Sequence, residues 1–237
     1  MIRSTQAADA APDVLRVSLD AQATVTMGPL ARGGKSRAHV AAADHDFAPA
    51  ATVTPVGLCL PTWDERFLYG VTSKVTSDCL GEGLTQWGES VRERFPHSTP
   101  LVIKLENGPE HQSRRPQCMQ RMVDFVHQYH LHVRLVSYPP SHSTYTPVER
   151  CWGILENHGH GALRDSLEAV LGFARTMTWK GLQPGVELVT TTSHTGVTLT
   201  KEAMDHVEAQ LKRLAHLGKW FVDIVCPDYP PPAAWDT

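Results

Sequence analysis

The sequence has no continuous apolar run of the ~18 residues that a membrane-spanning helix needs. Its opening stretch, "MIRSTQAADAAPD", lacks the apolar core of a secretory signal. It has no CxxC pair, and its five cysteines, Cys59, Cys79, Cys118, Cys151 and Cys226, are odd in number and scattered. That argues against a disulfide framework or a zinc ribbon and fits a reducing compartment. Net charge is also scarce, at -3, so any nucleic-acid contact has to come from a local patch. These absences lead to the expectation of a cytoplasmic chain that makes no use of a membrane. Thirteen histidines are present and scattered, with "HGH" at His158 to His160 among the tightest groups. A zinc site wants three or four converging ligands, so the histidines are read as surface and half-buried side chains.

What is present suits a folded α/β protein. A chain of 237 residues is long enough to bury a core, as one large domain or two small ones. "VLRVSLD" (Val14 to Asp20) alternates as a strand does, and "ATVTMG" (Ala23 to Gly28) follows after a very short connection, so the two are expected to pair as a hairpin. "TSDCLGEGLTQWGESVRERF" carries Leu80, Leu84, Trp87 and Val91 on one helical face, although Gly81, Gly83 and Gly88 each weaken a helix by ~1 kcal/mol. "LVIKLENG" is an apolar strand expected to be buried on both faces, and it ends in a turn signal. "SRRPQCMQRMVDFVHQYH" reads as a helix with Ser113 as its N-cap, Pro116 in the first turn and a stripe of Met119, Met122, Val123, Val126 and Tyr129. "LHVRLVSY" (Leu131 to Tyr138) completes a parallel strand–helix–strand unit. Further helices are expected from Pro147, from Leu163 to Trp179, and over "TKEAMDHVEAQLKRLAHL". The tail "CPDYPPPAAWDT" reads as a loose proline-rich end.

Ligands of open α/β sheets bind outside the carboxyl ends of the strands. Asp20 closes the first strand and Glu106 follows the buried one, so two acids fall at that edge. A third, Glu149, stands at the head of the next helix, after the stiff loop "SYPPSHSTYTP". Each has a plain alternative. Thr146-Pro147-Val148-Glu149 fits a capping box, and Asp20 and Glu106 suit strand-end turns. Together, three converging carboxylates repel one another and need a cation, and oxygen-only ligands select Mg²⁺ or Mn²⁺. Two such ions clamp the attacking and leaving oxygens of a phosphoryl transfer. Arg32, Lys35 and Arg37 surround a double glycine in "LARGGKSRAHV", a basic turn or a phosphate-contacting loop.

The stretches "LENGPE", "SRRPQCMQRMVDF", "LVSYPPSHSTYTPVERCWGILENH" and "MTWKG" resemble the catalytic region of ISAzo13-like insertion-sequence transposases. "LARGGKSR", "ADHDF", "TSDCL" and "LTKEA" extend the resemblance from about Leu15 to Val225. It implies a DDE transposase with an α/β, RNase H-like mixed sheet flanked by helices, with additional C-terminal helices. It implies DNA strand cleavage and transfer in transposition, with two Mg²⁺ or Mn²⁺ ions held by three acids. Carried over residue by residue, these acids are Asp20, Glu106 and Glu149; Arg32, Lys35, Arg37 and His142 are read separately as candidate phosphate contacts. The partners implied are transposon ends, target DNA and further copies of the chain.

Several positions depart from the family's pattern. The second acid is expected as aspartate in "DNGP", whereas this chain has "ENGP", and glutamate reaches further by ~1.5 Å. The lysine expected two residues after the first acid is missing from "DAQ", and Ser141 and Thr146 replace an expected tyrosine and asparagine. The first strand begins near Val14, which leaves no room for the helix-turn-helix region that reads transposon ends, so a truncated core of reduced or absent activity is expected. The expected organisation is a disordered 1–13, a catalytic core over 14–180, a helical extension over 181–226 and a tail over 227–237. Two alternatives stand beside the transposase: a non-catalytic DNA-binding or oligomerising remnant, and a metal-dependent nuclease on the same fold.

Overall fold

The computed structural model describes residues 14–31, 51–94, 100–106, 115–138, 147–190, 198–228, 230, 231 and 235. Ten strands and five α-helices lie among them: β1 (Leu15–Ala21), β2 (Val25–Ala31), β3 (Ala51–Leu60), β4 (Glu65–Val71), α1 (Ser77–Val91), β5 (Leu101–Glu106), α2 (Pro116–Tyr129), β6 (Val133–Tyr138), α3 (Pro147–His158), β7 (Leu163–Arg164), α4 (Leu167–Thr176), β8 (Gly185–Val189), α5 (Lys201–Glu208), β9 (Leu211–Arg213) and β10 (Phe221–Ile224).

The strands form one mixed sheet. β4 and β1 flank β3 antiparallel, β1 runs parallel to β5, and β5 runs parallel to β6. This is the RNase H-like arrangement implied by the resemblance. Both edges are extended: β8 adds beside β4 in parallel, and β10 then β9 add antiparallel beyond β6.

The apolar run of β5 is buried throughout, from Leu101 to Leu105. Leu101, Ile103 and Leu105 join Leu15, Val17 and Leu19 of β1 in the main core, against the stripes of α1 and α2. Every stripe residue expected of those two helices is buried. The glycines that weaken α1 also let it approach α2 closely. A Cβ on Gly88 would stand 2.9 Å from Cζ of Tyr129, whose hydroxyl donates to the Thr85 carbonyl at 3.0 Å. α3 and α4 cover part of the opposite face of the sheet, around Cys59, Leu68, Val148, Cys151, Trp152, Ala174 and Met177.

Three expectations are corrected. β1 and β2 do not pair with each other. Both lie antiparallel along β3, with Ala21 opposite Val56 and Val25 opposite Val53. Four steps on one side match three on the other, so one bulged strand replaces the hairpin. Two alternating runs with a short break read the same either way; here the ten-residue β3 is long enough to pair with both.

The segment 181–226 does not read as a helical extension: its described residues hold one helix and the strands β8, β9 and β10. The amphipathic run after Thr200 stops at Glu208 because Leu211–Arg213 pairs with the exposed edge of β10. Tertiary pairing outweighs helix propensity there. The helix expected from Leu163 begins at Leu167, where Ser166 accepts the Ala169 N–H at 3.2 Å, and Leu163–Arg164 pairs with β2 instead.

For α2, the residue preceding Pro116 is Arg115, which makes no side-chain capping bond, while Ser113 lies outside the described residues. No described helix is long and apolar enough to cross a membrane.

Two glycine-to-alanine substitutions separate helix propensity from packing. Gly153→Ala, where nothing lies within 4 Å of the added methyl, should stabilise by ~0.5–1 kcal/mol. Gly88→Ala should destabilise by ~1 kcal/mol net, because crowding Tyr129 outweighs the propensity gain. Urea midpoints that move together for both variants would contradict this packing.

Candidate active site

β1 alternates between two environments. Leu15, Val17 and Leu19 enter the core, while Arg16, Ser18 and Asp20 are buried on the opposite face. Lys104, opposite Ser18 on β5, is buried as well. Asp20 is only 5% exposed, and a buried carboxylate demands polar partners. One of them is the indole of Trp152, whose Nε1–H donates to Asp20 Oδ2 at 3.3 Å.

That bond depends on a notch in the sheet. Asp20 stands opposite Gly57 on β3. A Cβ on Gly57 would lie 2.6 Å from Cη2 of Trp152 and 2.8 Å from Cγ2 of Val148. Only glycine at this position leaves room for the indole to reach past β3 to Asp20 on β1. Val148 and Trp152, four residues apart on one face of α3, are both buried against the sheet at this point. Cys151 and Cys59 fill the same interface. Burial pushes the Cys151 thiol up to about 12 and raises that of Cys59, so both act as packing groups rather than nucleophiles.

Glu149 is half-buried in the first turn of α3, one turn ahead of Trp152. Side chains three residues apart on a helix are neighbours, with Cβ atoms ~5–6 Å apart. The bond that docks Trp152 on Asp20 therefore carries Glu149 to the same end of β1. The helix N-terminus also favours a carboxylate there.

Glu106 is the last residue of β5. The parallel register runs from Leu15 opposite Leu101 to Leu19 opposite Leu105, and one further step sets the Asp20 and Glu106 backbones side by side. The Glu106 side chain lies outside the described residues, as do Arg32, Lys35, Arg37, His142 and Thr146. The strand bends just beyond Asp20, where Gln22 N–H donates to the Pro55 carbonyl at 2.8 Å and Thr24 and Thr54 share a hydroxyl bond at 2.8 Å. Bulges of this kind re-aim side chains beside active sites.

The side chains of Asp20 on β1 and Glu149 on α3 offer hard carboxylate oxygen, a donor type that fits Mg²⁺ or Mn²⁺ and not a soft metal. Sequence reasoning named the three acids as candidates but did not foresee the Gly57 notch, the Trp152–Asp20 bond or the burial of Arg16 and Lys104. A glycine inside an otherwise apolar strand signals close approach of another group, and Gly57 carried that signal.

A profile described as "Rhodopirellula transposase DDE domain" matches residues 1–226. The chain belongs to that family. No curated protein matches it. Among solved structures, the "Mos1 transposase paired-end complex with left transposon end" is similar at TM-score 0.49 and 10% identity, covering 71% of this chain and 49% of that one. The "pre-cleavage Mos1 transpososome" is similar at TM-score 0.45 and 11% identity, with coverage of 71% and 49%. The transposase domain described here thus spans about half the length of those chains.

The notch and the indole give a direct expectation. Trp152→Phe keeps most of the ring packing and loses the N–H donor, costing ~1–3 kcal/mol because a buried carboxylate oxygen loses its bond. Gly57→Ala drives a methyl into the indole and should cost at least as much, ~1–3 kcal/mol or more. Denaturant unfolding of both variants checks this; a Gly57→Ala protein as stable as wild type would show that Trp152 does not occupy the notch.

Proposed function

We propose that this transposase domain performs metal-dependent DNA strand cleavage and transfer, with Asp20, Glu106 and Glu149 as its acidic triad. The observation that carries the reading is the Trp152–Asp20 bond, which sets the head of α3 at the carboxyl end of β1, next to the end of β5. Family membership supports the reaction class.

Asp20 would hold its ion from a carboxylate fixed through one oxygen by the indole. Glu106 would share that ion from the neighbouring strand end, and Glu149 would help hold the second from the first turn of α3. A bound Mg²⁺ or Mn²⁺ pair supplies charge stabilisation for both the attacking and the leaving oxygen of the phosphodiester. Burial of Asp20 at the sheet edge keeps bulk water from screening its charge. Arg16 and Lys104 are buried on the same face of the sheet as Asp20. The substrate proposed is DNA, both element ends and target, with phosphate contacts from Arg32, Lys35, Arg37 and His142.

Glu106 sets the level of activity. Displacement of ~1 Å at a reacting centre can cost ~10²-fold, and glutamate is longer than the family's aspartate by more than that. Glu106→Asp should therefore raise Mn²⁺-dependent nicking of supercoiled plasmid, by up to ~10²-fold, with little change in stability. Adding Glu149→Ala or Asp20→Asn should abolish the gain. A lower rate in Glu106→Asp than in wild type would mean that glutamate is the working ligand. A gain that survives loss of Glu149 or Asp20 would refute the triad.

A further inference from the structure

A second cluster of ligand-bearing side chains lies apart from the three acids, where the end of α2 meets the residues after β10. His130, Cys226 and Asp228 each offer one ligand atom, and these atoms all lie within 4.8 Å of one another. His130 Nδ1 bonds to Asp228 Oδ2, and Cys226 Sγ lies 3.4 Å from the same oxygen. In a tetrahedral zinc site with bonds of ~2.0–2.3 Å, neighbouring ligand atoms are roughly 3.3–3.8 Å apart. The Cys226–Asp228 separation already falls in that range, and the His130–Asp228 hydrogen bond would open to admit the ion.

The backbone fixes two of the three positions. His130 caps α2 in the left-handed region, at φ 52°, and its N–H bonds to the Val126 carbonyl. The Cys226 N–H donates to His132 Nδ1 at 3.1 Å, while His132 Nε2 donates to the Pro230 carbonyl at 2.9 Å. One neutral imidazole thus clamps the segment on both sides of Asp228. Cys226 is buried, whereas His130 and Asp228 face solvent, so an ion has an open path to a sheltered sulfur.

We propose that His130, Cys226 and Asp228 form a zinc site that staples the C-terminal end of α2 to the segment after β10. One thiolate, one imidazole and one carboxylate form a mixed set that suits Zn²⁺ and disfavours the hard Mg²⁺. Three protein ligands leave the fourth tetrahedral position to water. On binding, the Cys226 thiol releases its proton to solvent, the His130 ring takes its neutral Nε2–H tautomer so that Nδ1 is free for the metal, and the sulfur, Nδ1 and the Asp228 carboxylate take the ion. The staple holds two segments that are distant in sequence, so zinc binding adds to the stability of the folded chain.

The test uses the full chain, stripped with chelator and titrated with ZnCl₂ alone, then with CoCl₂ as a spectroscopic substitute. One zinc should bind per chain and raise the thermal midpoint, and an excess of Mg²⁺ should not displace it. Cobalt should give a thiolate-to-metal charge-transfer band that Cys226→Ser abolishes. His130→Asn, which tolerates the left-handed backbone, should weaken zinc at least tenfold, roughly the least that even an outer-shell partner costs. Asp20→Asn should leave uptake intact. No zinc uptake by the wild type overturns the proposal, as does uptake that survives in both Cys226→Ser and His130→Asn. Uptake lost in Asp20→Asn alone would place the ion among the three acids and also overturn it.

Discussion

The site rests on one contact, in which an indole lies in a notch where Gly57 has no side chain and donates its N–H to a buried aspartate on the next strand. The contact is at once a packing and an electrostatic constraint. The ring buries apolar surface between α3 and β3, and the N–H satisfies an oxygen that would otherwise be costly to bury. Because the helix is rigid, fixing Trp152 also fixes Glu149, one turn away. The strand bulge immediately after Asp20 completes the arrangement by turning the chain away from the carboxylate.

The face of the sheet that carries Asp20 differs in kind from the face that carries the main core. On one side, Leu15, Val17 and Leu19 meet α1 and α2. On the other, Arg16, Ser18, Lys104 and Asp20 are buried, with Asp20 held by Trp152 of a smaller apolar cluster. Further along this face the charge is compensated internally: Arg134 forks onto Asp223 across β6 and β10, at 2.6 and 2.7 Å, and stacks over Trp235. At the Asp20 end the carboxylate accepts the Trp152 indole N–H, and the proposed triad would be completed there by a hard cation.

Much of the frame was legible in the sequence wherever the signal is local. The buried run of β5, the stripes of α1 and α2 and the parallel β5–α2–β6 unit follow from periodicity alone. What was misread depends on distant partners. The break between β1 and β2 looks like a hairpin until β3 is seen to serve both, and the helix after Thr200 looks longer until β10 recruits Leu211–Arg213. The candidate acids could be picked out because strand ends and helix heads are local features. Trp152 was not visible as their organiser because it meets Asp20 across 132 positions of chain. His130 and Cys226 were passed over for the same reason: spacing rules for zinc find ligands that are near in sequence, and these meet only through the fold.

The central claim is that α3 brings Glu149 and Asp20 to one site. A double-mutant cycle on Mn²⁺ affinity, measured by the electron paramagnetic resonance signal of free Mn²⁺, tests it most directly. Wild type, Asp20→Asn, Glu149→Gln and the double variant would be compared at equal ionic strength. The account predicts weaker binding in each single variant and a coupling of at least ~0.5 kcal/mol between them, since ligands of one site do not act independently. Losses that add to within ~0.3 kcal/mol, or no Mn²⁺ binding in the wild type, would contradict it.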